Sequence, residues 1–280
     1  MSSLPDKGLQ VSRTVRVSNV TIGGGGFTVI AGPCSIESRE QFLTTAQGVK
    51  ASGATILRGG LFKLRTRPDA FQGHGLAVVQ AVRDVKAITA MPLVSEVTDP
   101  RQLESLEGVV DMYQVGSRNM HNYSLLKELG KSQVPVLLKR GFSALIEEWI
   151  LAARYITEEG NPNVVLCERG IRTFETATRN TLDLGAVAYV KQHSDLPVLV
   201  DPSHGTGVRS LIPAMSLASA AAGADGLMLE VHPNPATALS DGPQALTLDD
   251  FDKLMKKLRP LLQFLNYPED VTEGNQYAGR

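Results

Sequence analysis

Cys34, His204, Glu230 and Asp241 are the four residues of this chain best suited to hold a divalent transition ion. A mixed sulfur, nitrogen and oxygen set leaves a coordination position open, unlike an all-thiolate structural zinc site. An ion held this way can polarise a carbonyl as a Lewis acid. A second group is cationic: Arg58, Lys63, Arg65, Arg67, Arg118, Lys139, Arg140, Arg169 and Arg172. If these converge, they favour a substrate rich in phosphate and carboxylate. Glu96 and Glu168 can supply part of the balancing charge. Ion and cations together suit an anionic enol or phosphate ester meeting a polarised carbonyl. That chemistry is carbon–carbon bond formation, or phosphoryl or isomerase chemistry on sugar phosphates.

Each residue also has an ordinary reading. Cys34 follows a Gly-Pro turn, where a cysteine is commonly a small buried side chain. His204 can be a loop hydrogen-bonder, with His232 a nearby competitor as ligand. Glu230 can pair with an arginine, Asp241 can be a turn residue, and many arginines and lysines simply lie on surface loops. Only joint placement at one site overturns these readings.

The elements that must achieve that placement are short apolar runs: FTVIAGPC (27–34), ATILRG (54–59), PLVSE (92–96), MYQVGSR (112–118), PVLLKRG (135–141), VVLCERG (164–170), PVLVDPSH (197–204) and DGLMLEVH (225–232). Runs of this length separated by helix-patterned segments predict buried parallel strands. The helical patterns fall near 37–52, 69–89, 100–107, 121–130, 143–159, 175–193, 208–223 and 247–265. Ser38 with Gln41 can cap the first, and Asp99-Pro100 can start the third. Strand then helix, eight times over, predicts the α/β class and a single (β/α)8 TIM barrel rather than an open sheet. Reactive groups at the carboxyl ends of its strands share one face. Closure makes the first, seventh and eighth strands neighbours, which brings the four ligand candidates to one seam.

Residues 1–26 form an N-terminal extension, expected as a short strand or hairpin that caps the barrel floor. Its glycine run, 23–26, precedes a strand and therefore suits a tight turn better than a phosphate loop. The catalytic barrel is expected over 27–265 and a polar tail over 266–280. A hydrophobic fraction of 42% provides for a sizeable core, and a net charge of −1 gives no general attraction to nucleic acid or an anionic membrane. No apolar stretch approaches the roughly 20 residues that span a bilayer, and the N-terminus lacks an apolar signal core. Two cysteines, Cys34 and Cys167, do not make a secreted disulfide framework. A cytoplasmic location is expected.

The motifs AGPCSIES, LRGGLFKLRT, QVGSRNM, LLKRG, CERGIRTFET, VDPSHGTG and DGLMLEVHPNP…ALSDGPQ resemble those of the type I (beta subgroup) 3-deoxy-D-arabino-heptulosonate 7-phosphate (DAHP) synthases. That grouping includes the 3-deoxy-octulosonate 8-phosphate synthases, and the resemblance covers residues 27–255. It implies a transferase for the first step of the shikimate pathway, toward chorismate and the aromatic amino acids. Phosphoenolpyruvate and D-erythrose 4-phosphate would give DAHP and phosphate, with water adding at C2 and the C–O bond breaking. The implied metal ligands are Cys34, His204, Glu230 and Asp241, holding manganese foremost, with iron, cobalt or zinc also suited. Phosphoenolpyruvate would be held by Arg58, Lys63, Gly116, Ser117, Arg118, Lys139 and Arg169, and the aldehyde phosphate by Arg65 and Thr66. Lys63, Glu96, Cys34 and His204 would act in catalysis. The resemblance also implies a homotetramer or homodimer.

Two departures stand out. Relatives carry KPRTSP where this chain has Lys63-Leu64-Arg65-Thr66-Arg67-Pro68. Loss of the first proline loosens the loop, and Arg67 adds a cation beside the expected aldehyde site. Arg67 is expected to face solvent; the alternative is a redirected acceptor, another phosphorylated aldose. Octulosonate synthases carry an ANRSS-like segment here, so Lys63, Arg65 and Thr66 favour the four-carbon aldehyde. Many relatives append a domain that senses aromatic amino acids. The flanks are too short for one, so weak feedback inhibition is expected.

Overall fold

The computed structural model describes residues 11–268. The first ten residues of the expected extension, and the expected polar tail from 269 onward, lie outside the described residues. The chain opens with an antiparallel hairpin of β1 (Val15–Val17) and β2 (Val20–Ile22). Eight parallel strands follow: β3 (Thr28–Gly32), β4 (Ile56–Arg58), β5 (Leu93–Glu96), β6 (Met112–Val115), β7 (Val136–Lys139), β8 (Val164–Glu168), β9 (Val198–Val200) and β10 (Gly226–Glu230). They pair in sequence order, and β10 pairs with β3 to close the barrel. The helices are α1 (Arg39–Ala51), α2 (Val79–Thr89), α3 (Leu103–Leu106), α4 (Tyr123–Lys131), α5 (Ile146–Thr157), α6 (Leu184–His193), α7 (Pro202–Thr206), α8 (Ile212–Ala221) and α9 (Leu248–Phe264). The fold is the expected (β/α)8 barrel with an N-terminal hairpin.

Every barrel-strand residue is buried except Glu96 at the end of β5, which is half-buried. Burial on both faces explains why the strands read as unbroken apolar runs. The pleat then sorts them. Val29, Leu57, Leu93, Leu138, Leu166 and Leu229 face the helix layer in the main core. Ile30, Ile56, Val94, Met112, Leu137, Val165, Cys167, Leu199 and Met228 fill the barrel interior. Val15, Val17 and Ile22 of the hairpin belong to that same interior cluster, so the hairpin plugs the barrel floor. One pleat step beyond the interior layer stand Arg58, Glu96, Gln114, Lys139, Arg169, Asp201 and Glu230, two residues after Ile56, Val94, Met112, Leu137, Cys167, Leu199 and Met228. An apolar floor and a polar rim thus come from one period-two rule.

Two helix expectations and one strand expectation need correction. The pattern at 69–89 becomes helical only from a 3-10 turn at Gly75–Val78 leading into α2. The pattern at 175–193 becomes α6 only from Leu184, because Asp183 caps that helix by accepting from Ala186 N. The segment before it is a loop, tied by the paired residues Ile171 and Thr181 and by Asn180 N donating to Gly205 O. The run 197–204 is strand only to Val200. Asp201 caps a short helix and Pro202 occupies its first turn, where a missing N–H costs nothing. Both expected starts are present: Gln41 N donates to Ser38 Oγ at 3.1 Å, and Asp99 with Gln102 forms a capping box. Among the described residues no helix is long and apolar enough to cross a membrane.

Candidate active site

The four ligand candidates meet at the carboxyl ends of β3, β9 and β10. Cys34, Glu230 and Asp241 place donor atoms within 4.8 Å of one another. Cys34 Sγ donates to Asp241 Oδ2 at 2.9 Å. His204 Nε2 lies 3.2 Å from Glu230 Oε1 and 4.0 Å from Asp241 Oδ2. Asp241 is delivered by the loop after β10, which returns to the barrel where Leu246 N donates to Glu230 O. Its backbone is left-handed at φ 54°, a conformation that aspartate tolerates better than most residues. The set is chemically fit for a divalent ion, with thiol, imidazole and two carboxylates converging.

His204 is oriented for that work. Its Nδ1 lies 2.7 Å from Asp201 Oδ2, which also accepts from Lys139 Nζ at 2.5 Å. A carboxylate on Nδ1 fixes the tautomer and leaves the Nε2 lone pair facing Glu230 and Asp241. Burial lowers the His204 pKa against the opposing pull of Asp201 and Glu230, which favours the neutral form that a metal ligand requires. Asp201 stays ionised well below the usual carboxylate range: burial opposes its charge, but His204 and Lys139 outweigh burial. Burial, with the Glu230 carboxylate adding to it, pushes the Cys34 thiol far up, so its thiolate calls for a bound cation.

A cationic pocket opens beside this cluster. Arg58, Lys63, Arg65, Thr66, Glu96, Gly116, Ser117, Arg118, Lys139, Arg169, His204 and Asp241 line it. Every residue expected to hold phosphoenolpyruvate or the aldehyde phosphate is in that lining. Arg58 Nη2 donates to Glu230 Oε1 at 3.1 Å, while its Nη1 is buried with no hydrogen-bond partner among the described residues. Lys63 Nζ lies 3.4 Å from Glu96 Oε2. Burial opposes the Lys63 charge, but Cys34 and Glu96 outweigh it and hold the ammonium above its ordinary pKa. Gly116 admits the Glu96 carboxylate: a Cβ there would lie 2.2 Å from Glu96 Oε1. Arg65 Nη1 reaches Ser240 Oγ at 3.0 Å and Asp241 Oδ2 at 3.5 Å, tying the loop of the expected aldehyde site to the ligand cluster.

Several sequence candidates lie elsewhere. Arg140 and Glu168 pair at 3.0 Å, with Asp183 2.9 Å from the same Arg140 nitrogen. Both are one pleat out of phase with the rim and face the helix layer, so they belong to a buried ion cluster rather than the pocket. Arg172 is outside the lining. Arg67, by contrast, is in the pocket lining, but it pairs with Asp69 at 2.7 Å and its side chain is 79% exposed, facing solvent as expected. His232 is turned away from the donor cluster: its Nδ1 accepts from Asn234 N, and its Nε2 lies 3.4 Å from Glu37 Oε2.

Other residues at the site escaped the sequence reading. Gln244 Nε2 donates to Glu230 Oε2 at 2.5 Å, and its Oε1 accepts from Arg179 Nη1 at 2.9 Å. Arg179 Nη1 is also 3.8 Å from Asp241 Oδ1, so the Arg179–Gln244 pair braces two ligand candidates at once. Phe142 and Gln114 line the pocket as well. Asp201 and Gln114 could have been found from the period-two rule. Phe142, Arg179 and Gln244 sit in irregular loops, where no periodicity marks them.

The sequence pattern of the family described as the DAHP synthetase I family matches residues 9–264. The chain is 45% identical over 251 residues to the phospho-2-dehydro-3-deoxyheptonate aldolase of Thermotoga maritima, covering 90% of this chain and 74% of that protein. The crystal structure of the Thermotoga maritima enzyme, a DAHP synthase, superposes with a TM-score of 0.89 at 43% identity, covering 94% of this chain and 79% of that one. A more distant relative, the 2-dehydro-3-deoxyphosphooctonate aldolase of Syntrophotalea carbinolica, is 31% identical over 264 residues, covering 88% of this chain and 94% of that protein. With the barrel, the donor cluster and the cationic pocket in place, these matches establish that the chain belongs to the DAHP synthetase I family.

Proposed function

We propose that this protein condenses phosphoenolpyruvate with D-erythrose 4-phosphate to give DAHP and inorganic phosphate, the first step of the shikimate pathway. One observation carries the reading: the donor cluster of Cys34, His204, Glu230 and Asp241 adjoins a pocket lined by Arg58, Lys63, Arg118, Lys139 and Arg169. Those cations suit the carboxylate and phosphate of phosphoenolpyruvate, with Gly116 and Ser117 beside them. A divalent ion, with manganese the first choice, would be held by the four donors and would polarise the aldehyde carbonyl.

The remaining work falls to the chain itself. Arg58 has a buried Nη1, without a hydrogen-bond partner among the described residues, to offer an anionic oxygen. Thr66 Oγ1 accepts from Arg118 Nε at 3.2 Å and Nη2 at 2.9 Å, which leaves its own proton to donate to the aldehyde phosphate beside Arg65. Lys63 Nζ and Glu96 Oε2 form a donor–acceptor pair at the wall, suited to hand a proton to the aldehyde oxygen as the new carbon–carbon bond forms. Water then bonds to C2, and the C2–O bond breaks to release phosphate.

The four-carbon aldehyde is favoured by Arg65 and Thr66 in the pocket and by the higher identity to the heptonate enzyme than to the octonate one. The proposal extends to a catalytic unit over 27–265 with 1–26 as an extension and 266–280 as a tail, to a cytoplasmic homotetramer or homodimer, and to no nucleic-acid or membrane partner. Phosphate release should be compared with erythrose 4-phosphate and arabinose 5-phosphate as acceptors. Preference for erythrose 4-phosphate supports the reading, and preference for arabinose 5-phosphate moves the chain to the octulosonate branch.

A further inference from the structure

Phe142, in the turn after β7, is surrounded by guanidinium groups. The Cζ atoms of Arg169, Arg172 and Arg118 lie 4.6, 4.8 and 5.2 Å from its ring centroid. All three fall within the roughly 6 Å over which a ring quadrupole attracts a cation. Arg172 also ties the two loops together, its backbone N donating to Phe142 O at 2.7 Å. Two of the three cations, Arg118 and Arg169, line the pocket, as does Phe142 itself.

Among the described residues, no carboxylate lies within ion-pair distance of these two cations. Among the described residues, the Arg118 side chain hydrogen-bonds only Thr66 Oγ1, and that of Arg169 only Gly170 O, at 3.4 Å. Neither makes an ion pair with a described residue. The strain on them is electrostatic. Burial pulls Arg169 down to about 10, and burial followed by the Arg179 charge lowers Arg118. Arg58 and Lys139, by contrast, are each fixed by a buried carboxylate. A carboxylate beside Arg118 or Arg169 would orient them equally well, but it would cancel the charge and compete with a substrate phosphate. An aromatic ring attracts a guanidinium without contributing net charge, and leaves its N–H edge free.

We propose that Phe142 is a positioning residue, whose ring holds the Arg118 and Arg169 guanidiniums in place for the phosphate-bearing substrate where a carboxylate would neutralise them. This rests on phosphoenolpyruvate being the anion those arginines hold.

The test compares Phe142→Leu and Phe142→Tyr in the manganese-loaded protein, with phosphoenolpyruvate varied at saturating aldehyde. Leucine keeps the apolar bulk and removes the quadrupole, whereas tyrosine keeps both. The expected result is a KM for phosphoenolpyruvate raised about five- to tenfold in the leucine variant, with kcat within about threefold of wild type and near-normal KM in the tyrosine variant. A merely structural role would instead lower kcat or melting temperature and leave KM alone. An unchanged KM in the leucine variant, or an equal loss in the tyrosine variant, would overturn the proposal. If the leucine variant does not fold, Phe142→Met is judged by the same criteria. Titration with inorganic phosphate separates this claim from the functional reading. Wild-type protein that turns over neither acceptor defeats the functional reading. The phosphate affinities of the variants still decide the role of the ring, by weakening with leucine and recovering with tyrosine, or by staying equal.

Discussion

Asp201 Oδ2 sits 2.7 Å from His204 Nδ1 and holds the imidazole so that Nε2 faces Glu230 and Asp241. The same oxygen accepts from Lys139 Nζ, which makes this carboxylate a link between the donor cluster and the cationic pocket. Replacing Asp201 by Asn keeps the shape but removes the charge and admits the wrong tautomer. Manganese affinity should fall about 10- to 100-fold. Direct metal titration reads this without reference to turnover, and unchanged affinity would show that Asp201 does not orient the ligand.

Gly116 should be intolerant of a methyl group for one identifiable reason. A Cβ there meets Glu96 Oε1 at 2.2 Å, and the carboxylate must swing away from Lys63. Gly116→Ala and Glu96→Ala should therefore each lower kcat on the order of 100-fold. Their double variant should be no worse than either alone, because both remove the same contact. Additive losses would mean that the glycine serves some other purpose.

The Arg67 departure should be silent. Its guanidinium is bound to Asp69 and exposed, so Arg67→Ser should leave the KM for erythrose 4-phosphate within about twofold. Arg65→Ala removes a pocket cation that touches Ser240 and should raise that KM about tenfold or more. Equal effects from the two variants would place Arg67 at the aldehyde phosphate after all.

Arg140 makes the opposite kind of prediction. It pairs with Glu168 and Asp183 behind the barrel, away from the pocket. Arg140→Ala strands a buried carboxylate and should cost about 3–5 kcal/mol of stability. The folded fraction should retain its KM for phosphoenolpyruvate. Denaturant unfolding and steady-state kinetics on the same sample check both halves.

Arg140 and Glu168 also show where the sequence was misleading. Each ends an apolar run next to a true rim residue, Lys139 and Arg169, and run ends alone do not tell inside from outside. The pleat does. Ile56 fixes Arg58 as inward, Leu137 fixes Lys139, and Met228 fixes Glu230. The ligand candidates were legible because barrel closure joins β10 to β3 and β9, which any eight-stranded closed sheet must do. The pattern at 175–193 suggests helix from its start, but residues 175–182 carry no cap, and the helix begins only after the cap at Asp183. Phe142, Arg179 and Gln244 were invisible for a different reason. Their roles come from loops brought together by tertiary packing, and neither residue type nor spacing signals that.

The central claim is that the Cys34, His204, Glu230 and Asp241 cluster binds an ion on which the reaction depends. The most direct measurement is phosphate release from phosphoenolpyruvate with erythrose 4-phosphate, in protein stripped of metal and then titrated with manganese. The account predicts no turnover in the stripped protein, recovery at about one ion per chain, and no recovery in a Cys34→Ala variant, whose lost manganese binding is read by direct titration. Full activity in the stripped protein, or full recovery in the Cys34 variant, would contradict it.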